Sequence, residues 1–496
     1  MLDLLVFLPL AASLVLLALP ASPAVARAVL IGVTCVELVL AAAMYLAYDP
    51  GGGVTSGIAY ERNVAWIPTV DSGYHVGLDG LSLPLVGLTA GIFFACALYA
   101  VRRTDRPRTF AALMLFLETA CLGVFASLDL ILFFVFFDLT IVGMYLVIAG
   151  WGHGQAARSA LTFFLYTFVG SLALLVGFIA LYLAAEPHTF DMVRLAQDPP
   201  LQDSPLAGGL VLLAISLGLA VKTPTVPFHT WLPPAHTDAP SEGSAVLAGV
   251  LLKLGTYGFV RIAIPMLPGP MRTYAMVFLV IGVVSVLYGA LVALAQTNLK
   301  RMIAYTSVNH MGYVLLAVGA AALAGDAQAR GVALTGAVTQ MVSHGLITGA
   351  LFLLAGVLYE RAGSYEIARF GGLAGRAPVF ALLFAVGAFG SLGLPGLSGF
   401  IAEFQVFVGS LATAPVAVLV ALLGLLVTAA LFLWALQRLL LGSSGELTAR
   451  VGDLRAHEAA AIAPLLLLAL AVGVLPRFLL DVIEPSTRVL VGLLDR

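Results

Sequence analysis

Charge is scarce in this sequence. Lys, Arg, Asp and Glu together make up 10% of the 496 residues, against the quarter or so usual in soluble domains, and this excludes an ordinary water-soluble globular fold. Cysteine is scarcer still. Cys35, Cys96 and Cys121 all lie in apolar stretches, without the CxxC or Cys/His spacing that holds zinc or an iron–sulfur cluster, and they read as small core residues. No GxGxxG joins a strand to a helix, no GxxxxGK[ST] occurs and no haem motif is present, so no cofactor or metal is expected in this chain. The opening MLDLLVFLPLAASLVLLALP lacks the basic n-region of a cleavable signal and carries Asp3 instead. It is expected to be a retained first helix, with the mature chain starting at Met1.

What fills the chain is hydrocarbon. Hydrophobic residues make up 61%, and apolar runs of about 20 residues, the length that spans ~30 Å of bilayer core, recur from end to end. They predict an all-α polytopic membrane protein with about fourteen transmembrane helices, near 2–20, 26–47, 80–101, 109–127, 130–150, 158–184, 208–239, 243–263, 272–295, 302–323, 330–358, 377–409, 411–441 and 458–480. The stretch from Asp49 to Gly77, with its GGG run, and the acidic stretch from Pro187 to Pro205 are expected to be loops. With the N-terminus outside, the odd-numbered connections face the cytoplasm and hold fourteen of the 24 basic residues, among them Arg102, Arg103, Lys300 and Arg361. The even connections, with the C-terminal helix and its tail out to Arg496, hold eight. This bias predicts a multi-pass protein of a bacterial inner membrane with both termini outside.

Two spans are expected to be broken. Prolines 224, 227, 233 and 234 interrupt LAVKTPTVPFHTWLPPAH, and the Gly393 to Gly399 run around Pro395 interrupts GSLGLPGLSGFIAEF. Non-helical backbone at membrane depth survives only inside protein or against a wet cavity, and paired breaks in corresponding halves of a transporter point to its ion site. The plain alternative is a pair of proline kinks in packing helices. The breaks lie about 170 residues apart, so the expected organisation is three N-terminal helices over 1–105, a first five-helix repeat over 106–265, a second over 266–441, and a C-terminal connection and last helix over 442–496.

Ionisable residues sit where they are costly. Glu118 and Asp138 flank the turn at 127–129, each about ten residues from it, which at 1.5 Å per residue places both roughly 15 Å deep. Lys253 is central to its helix, Lys222 precedes the first break, Glu403 follows the second, and His310 and His344 fall well inside spans. Each acid or lysine at that depth costs roughly 2.5–3.5 kcal/mol, on the order of 15 kcal/mol for the five, unless they pair, hydrate or neutralise. A lysine's proton is held less firmly after burial and more firmly beside a carboxylate, so an alternating set of acids, lysines and histidines can act as a switched proton relay. The bland alternative is a set of structural ion pairs, but intramembrane polar contacts average well under 2 kcal/mol. His310 and His344 have a bland reading as hydrogen-bonded core residues. His229 and His236 border the first break, to orient half-helices or to carry protons; Glu37 sits on a peripheral helix outside the repeats.

These residues resemble a known family, the antiporter-like membrane subunits of complex I and of Mrp-type cation/proton antiporters. The resemblance covers about 80–480 and rests on FFVFFDLTIVGMYLVIAGWG, AVKTPTVPFHTWLPPAHTDAPSEGSAVLAGVLLKLGTYG, NLKRMIAYTSVNHMGYVLL, QMVSHGLITGALFLLAGVLYER and GLPGLSGFIAEF. Glu403, a glutamate in the second broken helix where the L, N and Mrp D types usually carry lysine, makes it look most like the M type. By position, Asp138 matches the family's acid of the fifth helix, Lys222 the lysine of the first broken helix, Lys253 the bridging lysine and Glu118 the acid of the fourth helix. The family usually has glutamate where this chain has Asp138, which implies an ion pair to Lys222 that is longer or bridged by water. What the resemblance implies is fourteen helices in inverted repeats and proton pumping coupled to quinone reduction elsewhere. The implied partners are neighbouring membrane-arm subunits and the lipid bilayer, with NADH and quinone bound by other subunits; no nucleic acid is expected. Competing readings are a subunit of an Mrp-type Na+/H+ antiporter, an ion-coupled uptake module such as one for inorganic carbon, and a structural membrane scaffold.

Overall fold

The computed structural model describes residues 1–49 and 57–495; the GGG run at 51–53 and Arg496 lie outside the described residues. Eleven helices among the described residues are long and apolar enough to cross a membrane, and Leu2–Ala18, Pro378–Ser391 and Ser398–Leu411 are shorter apolar helices. Helix prevails because a segment in hydrocarbon must satisfy every backbone N–H and C=O within itself. Burial grades from rim to centre: the most apolar stretch is 28% buried in Pro23–Leu46 and 33% in Pro415–Leu440, but 94% in Ser241–Met266 and 100% in Ala327–Ala362. The innermost helices carry Lys253, His344 and His310, the last on Leu299–Ala322, which is buried at all but two of its residues.

Both expected breaks are present. The first separates Pro205–Lys222 from Leu232–Asp238. Pro224 and Pro227 have no N–H to continue a helix, and the freed backbone groups find other partners: Trp231 Nε1 donates to the Val221 carbonyl (3.0 Å) and the Val226 amide to Ser285 Oγ (3.0 Å). Pro233 and Pro234, expected to interrupt, instead lie in the first turn of the second half-helix, where a missing N–H costs little. The second break separates Pro378–Ser391 from Ser398–Leu411 and turns through Gly393 (φ 77°) and Gly396 (φ 94°), a left-handed conformation that glycine adopts at no steric cost.

Three segments differ from expectation. The 49–77 loop contains an antiparallel hairpin, β1 (Ala59–Ile67) and β2 (Ser72–Leu78). Residues 61–66 of β1 are exposed on both faces, so its sequence carries no apolar alternation to betray a strand. The 187–205 loop contains the short helix Met192–Gln197, capped by Asp191. His75 of β2 clamps hairpin to loop, its Nδ1 2.9 Å from Asp191 Oδ2 and its Nε2 2.9 Å from Glu61 Oε1. Finally, the last span ends at Val474, and Arg477–Leu494, expected to be largely tail, is a separate helix that buries Leu479, Ile483, Leu490 and Leu494 on one face. Thr487 of that helix meets Thr335 of the central helix (Oγ1 to Oγ1, 2.8 Å).

Candidate functional site

The first half of the molecule holds its ionisable groups apart. Lys222, 1% exposed, ends the half-helix before the first break, where the negative end of the helix dipole favours a cation. Its ammonium donates to Thr140 Oγ1 (2.9 Å) and lies 4.9 Å from the centre of the Phe137 ring. Asp138 forms no direct ion pair with it; one oxygen, Oδ1, is buried without a hydrogen-bond partner. Helix geometry explains this, because side chains two residues apart point about 200° apart, so the face that offers Thr140 to Lys222 turns Asp138 away. Asp138 still lies within reach of the lysine's field. Glu118 is fully buried in Pro107–Ala126, both carboxyl oxygens unpartnered, and joins neither Lys222 nor Lys253.

Around the second break the groups come together, Lys253 reaching them from the end of the first five-helix stretch. Lys253 sits on a segment flanked by two turns of wider π geometry, Leu247–Leu251 and Phe259–Ala263, a distortion common at functional sites. Its ammonium donates to the Ala248 carbonyl, which the π turn leaves within reach, and to His344 Nδ1 at 2.7 Å. The His344 and His310 rings lie 5.4 Å apart, centre to centre. His310 Nε2 is 3.0 Å from the Ser391 carbonyl at the second break and 3.7 Å from Glu403 Oε1. A carbonyl only accepts, so Nε2 carries the proton and Nδ1 is left open. His344 Nε2 is likewise open. A cavity of about 10 Å³, room for one water molecule, is bounded by His310, His344, Gln340, Ser391 and Glu403. The break also shapes the acid's seat: a Cβ on Gly393 would stand 2.5 Å from Glu403 Oε2.

Of the seven residues singled out from sequence, four, Lys253, His344, His310 and Glu403, form one connected set; Lys222 and Asp138 interact only at a distance, and Glu118 stands alone. His236 is fully buried and stacks on Phe352 (4.4 Å), its ring nitrogens unpartnered, and His229 packs edge-on to Tyr288 (4.8 Å). Sequence reasoning missed Thr140, whose hydroxyl holds Lys222, and the pair Ser343 and Ser398 (2.7 Å), which ties the central helix to the second break. Nor did it foresee where Lys300 points from the first turn of its helix: the side chain is fully buried, donates to the Ala239 carbonyl (2.6 Å) and lies over the Tyr365 ring. A lysine in the first turn of a helix gives no sign of whether it points to water or inward.

Residues 127–448 match the protein family described as NADH:quinone oxidoreductase/Mrp antiporter, TM. The chain is 38% identical to NADH-quinone oxidoreductase subunit M of Rhodobacter capsulatus, over 99% of this chain and 96% of that protein. Among solved structures it is similar to a chain of respiratory complex I from Thermus thermophilus with bound NADH, 32% identical, with a TM-score of 0.89 and full coverage of both chains. A chain of the Mrp complex from Dietzia sp. DQ12-45-1b, 23% identical, covers 100% of this chain and 97% of its own with a TM-score of 0.87, a likeness of fold alone.

Proposed function

The chain belongs to the NADH:quinone oxidoreductase/Mrp antiporter family of membrane proteins, and on that premise we propose a route by which it moves protons. It is an antiporter-like, proton-translocating subunit of a respiratory NADH:quinone oxidoreductase, part of an enzyme complex and a partner of other membrane-arm subunits. We assign NADH and quinone chemistry to those other subunits and no cofactor to this one. Moving each proton against the membrane potential takes roughly 2.3 kcal/mol per 100 mV, so the driving energy comes from that chemistry.

The observation that carries the route is the connected set Lys253, His344, His310 and Glu403, held by three deeply buried helices, Ser241–Met266, Leu299–Ala322 and Ala327–Ala362, and by the second break. The Lys253 ammonium passes its proton to His344 Nδ1. His344 releases one from Nε2 across the small cavity to His310 Nδ1, since an imidazole takes a proton on one nitrogen and yields it from the other. The Nε2 proton of His310 leaves the Ser391 carbonyl for Glu403, the terminal acceptor. In the first half, Lys222 holds the charge that Asp138 biases, and the arrival or departure of that charge sets whether Lys253 keeps its proton.

The same reading extends to architecture. Adding Leu2–Ala18, Leu299–Ala322 and the second broken pair to the eleven candidate spans makes fourteen crossings. A broken helix stands fourth in each of the two five-helix units, 106–265 and 266–441, as inverted repeats require, with 1–105 and 442–496 flanking them. The protein then lies in a bacterial inner membrane with both termini outside.

The test is Lys253→Ala in the assembled complex, reconstituted in proteoliposomes. Proton translocation per quinone reduced is expected to fall about tenfold or more. Wild-type stoichiometry in the variant, or proton movement driven by a sodium gradient in place of quinone reduction, would overturn the reading.

A further inference from the structure

Glu37 has no part in that route, yet it is placed like a working residue. Pro23–Leu46 is a rim helix, and its one acid lies on its inward stripe with Ala26, Leu30, Thr34, Ala41 and Met44. Glu37 is 0% exposed, so no neighbouring subunit or lipid headgroup reaches it, and neither carboxyl oxygen has a hydrogen-bond partner. Pro107–Ala126 packs against this helix and runs parallel to it, with one span between them in sequence. Their C-terminal ends share one side of the protein, because the hairpin touches both: Tyr60 hydrogen-bonds the Met44 carbonyl (3.0 Å) and Val76 bridges to Ser127. Glu37 lies nine residues before Leu46 and Glu118 eight before Ala126, which puts both about 12–14 Å below that side. Two buried, unpartnered carboxyls therefore stand level on adjacent helices, and Glu37 is the charged group whose field acts on Glu118.

We propose that Glu37 and Glu118 form a coupled two-carboxyl proton site between the N-terminal helices and the first repeat, which carries at most one negative charge. The inference rests on the proton-translocation reading and adds to it a proton store at the rim. Two ionised carboxylates with no donor and no cation against them would each carry the full cost of charge burial, and a proton is the ligand that removes it. Other charges near the helix ends are already engaged: Asp3 with Arg62, Arg27 with the Arg103 carbonyl and Arg108 with the Leu16 carbonyl. Of the other titratable groups on these and the adjoining helices, Tyr45 donates to the Phe478 carbonyl, Tyr99 to Glu360 and Tyr257 to the Phe125 carbonyl, and Lys253 is turned to His344; Cys35, Cys96, Cys121, Asp138 and Tyr145 make up the rest.

The test follows carboxyl C=O bands by infrared difference spectroscopy during pH titration of the whole complex, in wild type, Glu37→Gln, Glu118→Gln and Glu37→Asp. Coupling is reciprocal. Each Gln variant is expected to remove one titration step and to move the surviving one by about a pH unit or more, by the same amount in both, while Glu37→Asp keeps two steps. Proton translocation by Glu37→Gln should persist with a changed pH profile that Glu37→Asp restores. A surviving step that stays in place, or an unchanged profile at lower amplitude, overturns the proposal. A wild-type complex that fails to translocate protons contradicts the underlying reading instead, and leaves the coupling measurable.

Discussion

Around Lys222 the buried groups stand apart; around Lys253 they touch. Lys222 meets a hydroxyl and an aromatic wall, with Asp138 turned away and Glu118 unpartnered, whereas Lys253 hydrogen-bonds His344, the His344 and His310 rings lie 5.4 Å apart, and His310 stands 3.7 Å from Glu403 beside a cavity the size of one water. Each set adjoins a broken helix, Lys222 before the first break and Glu403 after the second, so the difference lies in the side chains around the breaks rather than in the breaks themselves. It teaches where control resides. A connected set re-equilibrates its protons as soon as one end changes, while a separated set transmits only through charge, over distances that a small movement alters. On the proposed route, the second half conducts and the first half decides.

The sharpest way to break that contrast is at Asp138, where field and contact make opposite predictions. If Asp138 acts by its charge, Asp138→Asn should lower proton translocation about tenfold or more at matched assembly, and Asp138→Glu should keep it, since only the asparagine removes the charge. An active Asn variant beside an inactive Glu variant would make Asp138 a packing residue and remove the electrostatic role of the first half.

A smaller effect is expected at Gly393, which tests whether the second half depends on close positioning. Gly393→Ala places a methyl 2.5 Å from Glu403 Oε2 at a backbone φ of 77°, a conformation that costs a non-glycine residue roughly 1–2 kcal/mol. Displacing the acid from His310 should slow translocation about fivefold, equivalent to about 1 kcal/mol, with quinone reduction less affected. Unchanged pumping would show that the 3.7 Å gap between His310 and Glu403 is crossed without fixed geometry.

How much of this was legible in the sequence follows from which signals survive without contacts. The spans and both breaks were, because apolar runs and proline or glycine clusters act locally. The four residues of the conducting half were named, but not their connection, which depends on π turns at 247–251 and 259–263 and on a carbonyl freed at Ser391. The sequence implied a longer or water-bridged pair between Lys222 and Asp138; that Thr140 occupies the position facing the lysine depends on helix phase, which the motif alone does not give. The hairpin and the Arg477–Leu494 helix escaped a search for long apolar runs, the first being exposed on both faces of β1 and the second apolar on only one.

The smallest expected effect lies outside the membrane and serves as a control, since it should leave both halves untouched. Burial alone would pull the His75 pKa down, but hydrogen bonds and charge from Asp191 and Glu61 outweigh it and leave the pKa raised. A raised folded pKa means the clamp is fully present below the unfolded value of about 6.5 and is lost as pH rises through the folded value. Hydrogen exchange of residues 59–78, corrected for intrinsic rates, should therefore be faster at about pH 9 than at about pH 6. His75→Gln should abolish that difference and leave proton translocation within about twofold of wild type.

The most direct measurement of the central claim is a double-mutant cycle on proton translocation with His344→Ala, Glu403→Gln and the two combined, in proteoliposomes at matched assembly. Residues that pass one proton along one route act as a unit, and their losses are not additive. The account predicts that each single variant loses about tenfold or more and that the double variant is no worse than the worse single. Losses that multiply would place His344 and Glu403 on separate routes and contradict the conducting half described here.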